Sequence, residues 1–144
     1  MKKHLLLLML ASGLALAVSA QEKEKSIAPP VAAKAAFAKA FPGVTKVKWE
    51  NEDGNYEASF TDKGQKMSAV YDGKGTLKET EVSIKISELP AAVTDYMKQH
   101  YKGLTVKEAA KITKADGTVN YEAEVNKKDV VFDAKGAFIK EEKD

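Results

Sequence analysis

Cysteine and arginine are absent from this chain, and histidine occurs only at positions 4 and 100. Without cysteine there is no disulfide, no thiol nucleophile and no thiolate metal ligand. Without arginine there is no planar fork to grip a guanine edge, a phosphate or a carboxylate in two places. Glycine-rich phosphate loops, nucleophile elbows and His-Glu-x-x-His metal motifs are missing too. His100 falls near the end of a helical stretch, where the helix dipole favours a cation, and reads as a surface residue. No catalytic residue, no metal site and no cofactor are expected.

A long hydrophobic run is also lacking. Leu5–Val18 is apolar for about 14 residues, short of the roughly 20 that a membrane-spanning helix needs. Lys2 and Lys3 precede the run, Val18-Ser19-Ala20 supplies small residues, and the charged Gln21–Lys25 follows. This is the pattern of a cleaved export signal, residues 1–20, cut near Ala20. It predicts a periplasmic or secreted protein, with 21–28 as a short polar leader. The chain has 23 basic and 21 acidic residues. Loss of Lys2 and Lys3 leaves the remainder neutral, with no long-range pull towards nucleic acid or anionic lipid.

What is present is alternation. Val47-Lys48-Trp49-Glu50, Tyr56-Glu57-Ala58-Ser59-Phe60 and Met67-Ser68-Ala69-Val70-Tyr71 place apolar residues at every second position, between glycine-containing turns. This is the signature of antiparallel strands with one buried face. Tyr121-Glu122-Ala123-Glu124-Val125, Val130-Val131-Phe132 and Asp133-Ala134-Lys135-Gly136 repeat it downstream. Ahead of each set stands a helix. Pro29-Pro30 opens the first, which runs to Phe41 with Ala33, Ala36, Phe37 and Ala40 on its stripe, and Pro42-Gly43 ends it. Ser87 as cap and Pro90 open the second, with Leu89, Val93, Tyr96, Met97 and Tyr101 at helical spacing.

Pro30 and Pro90, Phe41 and Tyr101, and Gly43 and Gly103 stand 60 apart, while Tyr71 and Phe132, Asp72 and Asp133, and Gly75 and Gly136 stand 61 apart. Such regularity predicts a tandem duplication, residues 29–86 and 87–144. Each copy reads as a helix and four strands, at about 44–50, 55–61, 65–71 and 76–84, then 105–112, 118–125, 128–132 and 137–141. A lone unit of about 60 residues is marginal and leaves two bare edges. Joined edge to edge, the two give an α+β fold with one eight-stranded antiparallel sheet and both helices on one face.

Alternation then assigns the faces. Val47, Trp49, Tyr56, Ala58, Phe60, Val106, Ala110, Ile112, Tyr121, Ala123 and Val125 are expected under the helices. The open face takes interleaved lysine and glutamate, and its candidate partner-binding residues are Lys46, Lys48, Glu57, Ser59, Lys66, Lys111, Glu122 and Glu124. Glu57 and Glu122 occupy equivalent positions and are expected too far apart for a catalytic carboxylate pair. Asp72-Gly73-Lys74-Gly75 lacks the alternating ligands and final glutamate of a calcium loop and reads as a hairpin turn. Trp49 reads as core.

Phe41-Pro42-Gly43-Val44, Val47-Lys48-Trp49, Tyr56-Glu57-Ala58, Tyr71-Asp72-Gly73-Lys74-Gly75-Thr76-Leu77, Leu89-Pro90-Ala91-Ala92-Val93 and Tyr121-Glu122-Ala123-Glu124 resemble the PepSY-like, beta-lactamase-inhibitor-like family of exported bacterial proteins. The resemblance implies two helix-plus-four-strand units sharing one curved sheet, whose concave face and hairpin loops cover an enzyme in the inhibitor protein itself. Related PepSY modules are thought to restrain proteases. This chain lacks that inhibitor's disulfides and any motif matching its inhibitory loops, so beta-lactamase inhibition is not carried over. The expectation is a non-enzymatic protein-binding or inhibitor-like module, working through the open face and the loops around Glu52 and Lys114. Its expected partner is another envelope or secreted protein. The alternative is a periplasmic small-ligand or ion binder.

Overall fold

Alanine-rich Val31–Ala40 forms helix α1 in a computed structural model that describes residues 27–143. The expected export signal and most of the leader lie outside those residues. Pro30, extended at φ −55° and ψ 148°, is the last residue before α1, so proline closes the approach rather than occupying the first turn. Helix α2, Ala91–His100, starts the same way after Pro90. Ser87 does not cap it. That serine sits in a short 3-10 turn, Ile86–Glu88, where the Glu88 carboxylate accepts from the Lys85 amide at 2.7 Å. Lys39 in α1, and Lys98 and His100 in α2, occupy the last turns, where the helix dipole favours cations.

The strands are β1 (Val47–Glu52), β2 (Asn55–Asp62), β3 (Gln65–Tyr71), β4 (Leu77–Ile84), β5 (Glu108–Lys114), β6 (Val119–Val125), β7 (Lys128–Asp133) and β8 (Phe138–Lys143). They form one eight-stranded sheet in simple sequence order, and every neighbouring pair is antiparallel. Strand β4 pairs with β5, Glu79 opposite Lys114 through Ile84 opposite Ala109, and so fuses the halves. Tight turns close the hairpins, with positive φ at Asp53, Gly54, Lys63 and Gly64. The leader reaches the outer edge of β1, where the Ile27 amide donates to the Trp49 carbonyl at 3.1 Å.

Two separate cores hold the helices down. Ala33 and Phe37 of α1 pack on Trp49, Ala58, Phe60, Ala69 and Tyr71. The rings interlock, with Phe37 4.9 Å from Phe60 and 5.6 Å from Trp49, both edge-on, the arrangement aromatic quadrupoles prefer. Val93 and Met97 of α2, with Leu89 ahead of it, pack on Ala109, Ala123, Val125, Val130 and Phe132. Directly opposed residues share a face, and the chain of pairs Phe60–Met67–Val82–Lys111–Tyr121–Phe132 links the two cores across the sheet. Both helices therefore lie on one side.

The register overturns one assignment. Ala109 belongs to the α2 core, and Lys111 is opposite Tyr121 and Val82 on the same side. Ala110 is opposite Glu122 and Ile112 opposite Asn120, which puts them on the open side. Strand β5 thus has the reverse parity from that expected, and Lys111 leaves the candidate partner face. The physical cause is the gap between the cores. α1 packs on β1–β3, and α2 packs on β6, β7 and Ala109 at the start of β5, so Lys111, further along β5, is exposed on the helix side and can be lysine.

Candidate functional site: the open sheet face

Removing helix cover from one side leaves a broad recess there. A trough of about 1180 Å³ runs over β1–β6, and Glu57, Ser68 and Glu81 join it to a smaller recess of about 90 Å³ lined from Glu52 of β1 to Glu142 of β8. Lys46, Lys48, Glu57, Ser59, Lys66, Glu122 and Glu124, expected on this face, all line it. Lys46 does so from the coil just before β1. Lys111 does not, being exposed on the helix side.

The face is far more acidic than interleaved lysine and glutamate would make it. Glu79 and Glu81 of β4, Glu108 of β5, Asp129 of β7 and Glu142 of β8 also line the recesses. Glu108 stands opposite Glu124, Glu124 opposite Asp129, and Asp129 opposite Glu142. Four carboxylates so form one row across four strands. In the other half Glu50 is opposite Glu57. Directly opposed like charges destabilise a sheet, so strand pairing alone does not favour this arrangement. Lysines pair with some of these acids: Lys48 Nζ lies 2.7 Å from Glu50, and Lys140 Nζ 2.7 Å from Glu142.

These surroundings shift the carboxyls. Burial, reinforced by Glu57, Asp129 and Glu79, pushes Glu81 up to about 7. Burial also raises Glu57, with Glu52 adding to the effect and a hydrogen bond from Ser68 opposing it. Glu57 and Glu122 lie on β2 and β6, four strand steps apart, roughly 19 Å along the sheet, beyond the reach of a paired-carboxylate mechanism. Among the described residues no three acidic or histidine side chains are disposed to hold a metal ion.

Asp72 belongs to a turn. Its Oδ1 accepts from the Thr76 and Lys74 amides at 2.9 Å, and these bonds, with Lys78 Nζ 3.2 Å away, hold its carboxyl at about 2. Asp133 makes the matching bonds to the Lys135 and Ala137 amides, at 2.8 and 2.9 Å. Trp49 is buried under Phe37. His100 stacks on Tyr96 at 4.1 Å on the exposed side of α2.

Residues 54–140 match the family model described as "Putative beta-lactamase-inhibitor-like, PepSY-like". The chain belongs to this PepSY-like family. Solved structures share its fold. A BLIP-like protein from Bacteroides fragilis superposes with a TM-score of 0.63 at 24% identity, covering 81% of this chain and 87% of that one. A DUF2874 family protein from Bacteroides uniformis gives 0.68 at 20%, covering 79% and 88%. A protein of Bacteroides eggerthii described as "putative periplasmic" gives 0.71 at 16%, covering 81% and 89%. No curated protein matches the sequence. Among the described residues no helix is long and apolar enough to cross a membrane.

Proposed function

We propose that this PepSY-like protein is an exported, non-enzymatic binding module that docks another envelope or secreted protein on its open sheet face. The observation that carries this reading is the trough of about 1180 Å³ on a sheet whose two described α-helices lie behind it. The eight-stranded platform is continuous through β4–β5, so a partner meets one surface. Residues 29–86 and 87–144 act as two copies of one unit, and Met1–Ala20 directs export and is removed. The BLIP-like neighbour supports inhibitor-type docking as the class of contact.

A photo-crosslinking amino acid placed at Ser59, in the trough, and separately at Lys98, on the exposed side of α2, tests the reading in the native envelope. A discrete adduct from position 59 and none from position 98 is expected. Adducts from position 98 alone would move the docking surface to the helices and end this assignment.

A further inference from the structure

The two halves of the open side share a strand order but are filled differently. Where β5–β7 face that side, Ala110, Ile112, Asn120, Glu122, Asp129 and Val131 are all buried, although no described helix lies over them. On β1–β3 the same side is half-buried or exposed except at Val70. The register explains the contrast. Lys48 is opposite Ser59 and Ser59 opposite Ser68, while the corresponding row of the second half is Glu108, Glu124 and Asp129. Serine leaves a low floor where the longer acids fill space. Ser59 and Ser68 accordingly line the trough of about 1180 Å³, whereas Ile112, Glu122, Asp129 and Val131 line only the recess of about 90 Å³.

The rim of the trough is basic at the β1–β3 end. Val47 is opposite Phe60, so Lys46, one residue earlier, comes beside Thr61, and Thr61 is opposite Lys66. All three are exposed and line the trough. Two strand spacings, about 10 Å, separate the lysine backbones, and their flexible stems let both ammonium groups close on one group between them. Among the described residues neither Lys46 nor Lys66 makes an ion pair. Lys48, by contrast, is bound to Glu50 at 2.7 Å.

Resting on the docking reading above, we propose that the partner enters the trough over β1–β4 as an extended segment with one acidic side chain, held between Lys46 and Lys66.

Charge complementarity of this kind fixes the register of a docked segment. The carboxylates that face the trough, Glu50, Glu57, Glu81, Glu108 and Glu124, lie further in or at its β5–β6 end and repel a second acid there. A single acidic anchor therefore fits, and a run of acids does not. A basic anchor would add a third cation to the rim. The hydroxyls of Ser59 and Ser68 lie on the floor as donors and acceptors for the segment's backbone.

The test starts from the adduct expected at position 59 in the native envelope. Tandem mass spectrometry should place its attachment within about three residues, or 10 Å, of an aspartate or glutamate of another protein. Adduct yield should fall about fivefold in Lys46→Gln/Lys66→Gln, which removes two exposed ion pairs, and return in Lys46→Arg/Lys66→Arg. It should stay unchanged in Lys34→Gln/Lys39→Gln, on the exposed side of α1. All these lysines are exposed, so each variant should melt with the parent. Full yield in Lys46→Gln/Lys66→Gln, no return with arginine, or an equal loss in the α1 variant would overturn the proposal. So would attachment beside basic residues alone, or an adduct that is a second copy of this chain. The two readings fail separately: an undiminished position-59 adduct removes the acidic anchor and leaves docking intact. Adducts from position 98 alone end docking on this face, and the anchor with it.

Discussion

Gly75 and Gly136 are where each half locks a turn onto its helix, and replacing them with alanine separates backbone strain from steric contact. At Gly75, φ is +81° and a Cβ would stand 2.5 Å from the Ala32 carbonyl oxygen and 2.8 Å from its carbon. Both are helix backbone atoms that cannot turn aside. Left-handed backbone costs an L-residue about 1–2 kcal/mol, and forcing extra volume into a packed contact adds about 1–3 kcal/mol, so Gly75→Ala should cost about 3 kcal/mol. Gly54 has nearly the same φ, +80°, with nothing within 4 Å of the added Cβ. Gly54→Ala should therefore cost only the backbone part, about 1 kcal/mol. Gly136 is different again. Its added Cβ meets the Ala92 Cβ at 2.7 Å, a side-chain atom that can be deleted. Gly136→Ala combined with Ala92→Gly should recover about 1 kcal/mol over the sum of the single changes. Gly75→Ala combined with Ala32→Gly should recover almost none. Urea unfolding followed by Trp49 fluorescence measures all of these. Equal costs at Gly54 and Gly75, or equal recovery in the two double variants, would refute the contact assignment.

Glu81 has a folded-state pKa of about 7, above its ordinary 4.5, so its contribution to stability is complete below pH 4.5 and is lost as pH rises through 7. Glu81→Gln should match the parent at pH 4 and exceed it at pH 8 by up to about 3 kcal/mol, read from urea midpoints; a pH-independent difference would contradict this. Asp72, held at about 2 by the turn amides, contributes stability that is present above pH 3.8 and lost as pH falls through 2. Asp72→Asn should flatten the acid limb of a pH–stability profile measured by circular dichroism. The Tyr101 hydroxyl donates to Glu141, which also takes Lys128 Nζ at 2.6 Å. Tyr101→Phe should cost about 1 kcal/mol, and the Glu141 carboxyl, lowered first by Lys128 and then by Tyr101, should rise in an NMR titration.

Much of the fold was legible because each local signal agreed with its neighbours. Phe37 and Val93 sit on helical stripes, Trp49, Ala58 and Ala69 on strand alternations, and the bent turns carry Gly64, Gly75 and Gly136 where φ is positive. Strand β5 misled for a reason the same physics supplies. Val106, Ala110 and Ile112 alternate with Lys107 and Lys111, so even positions looked like the covered face. The strand, however, starts only at Glu108. Alternation reveals the helix side only where a helix covers it, and at Lys111 none does. Ile112 is instead buried on the open side.

The acidity of that side had a signal of its own. Glu50 and Glu52, Glu79 and Glu81, and Glu122 and Glu124 are three Glu-x-Glu pairs, each placing two carboxylates on one face of its strand. Taken singly, each pair is an ordinary solvated strand face. Only the strand order puts all three on one surface and sets Asp129 and Glu142 in line with Glu124. Lysine at half of those positions would satisfy the same alternation and add favourable cross-strand pairs of about 0.2–1 kcal/mol each. Strand pairing by itself therefore does not account for the acidity of the face opposite the two described helices.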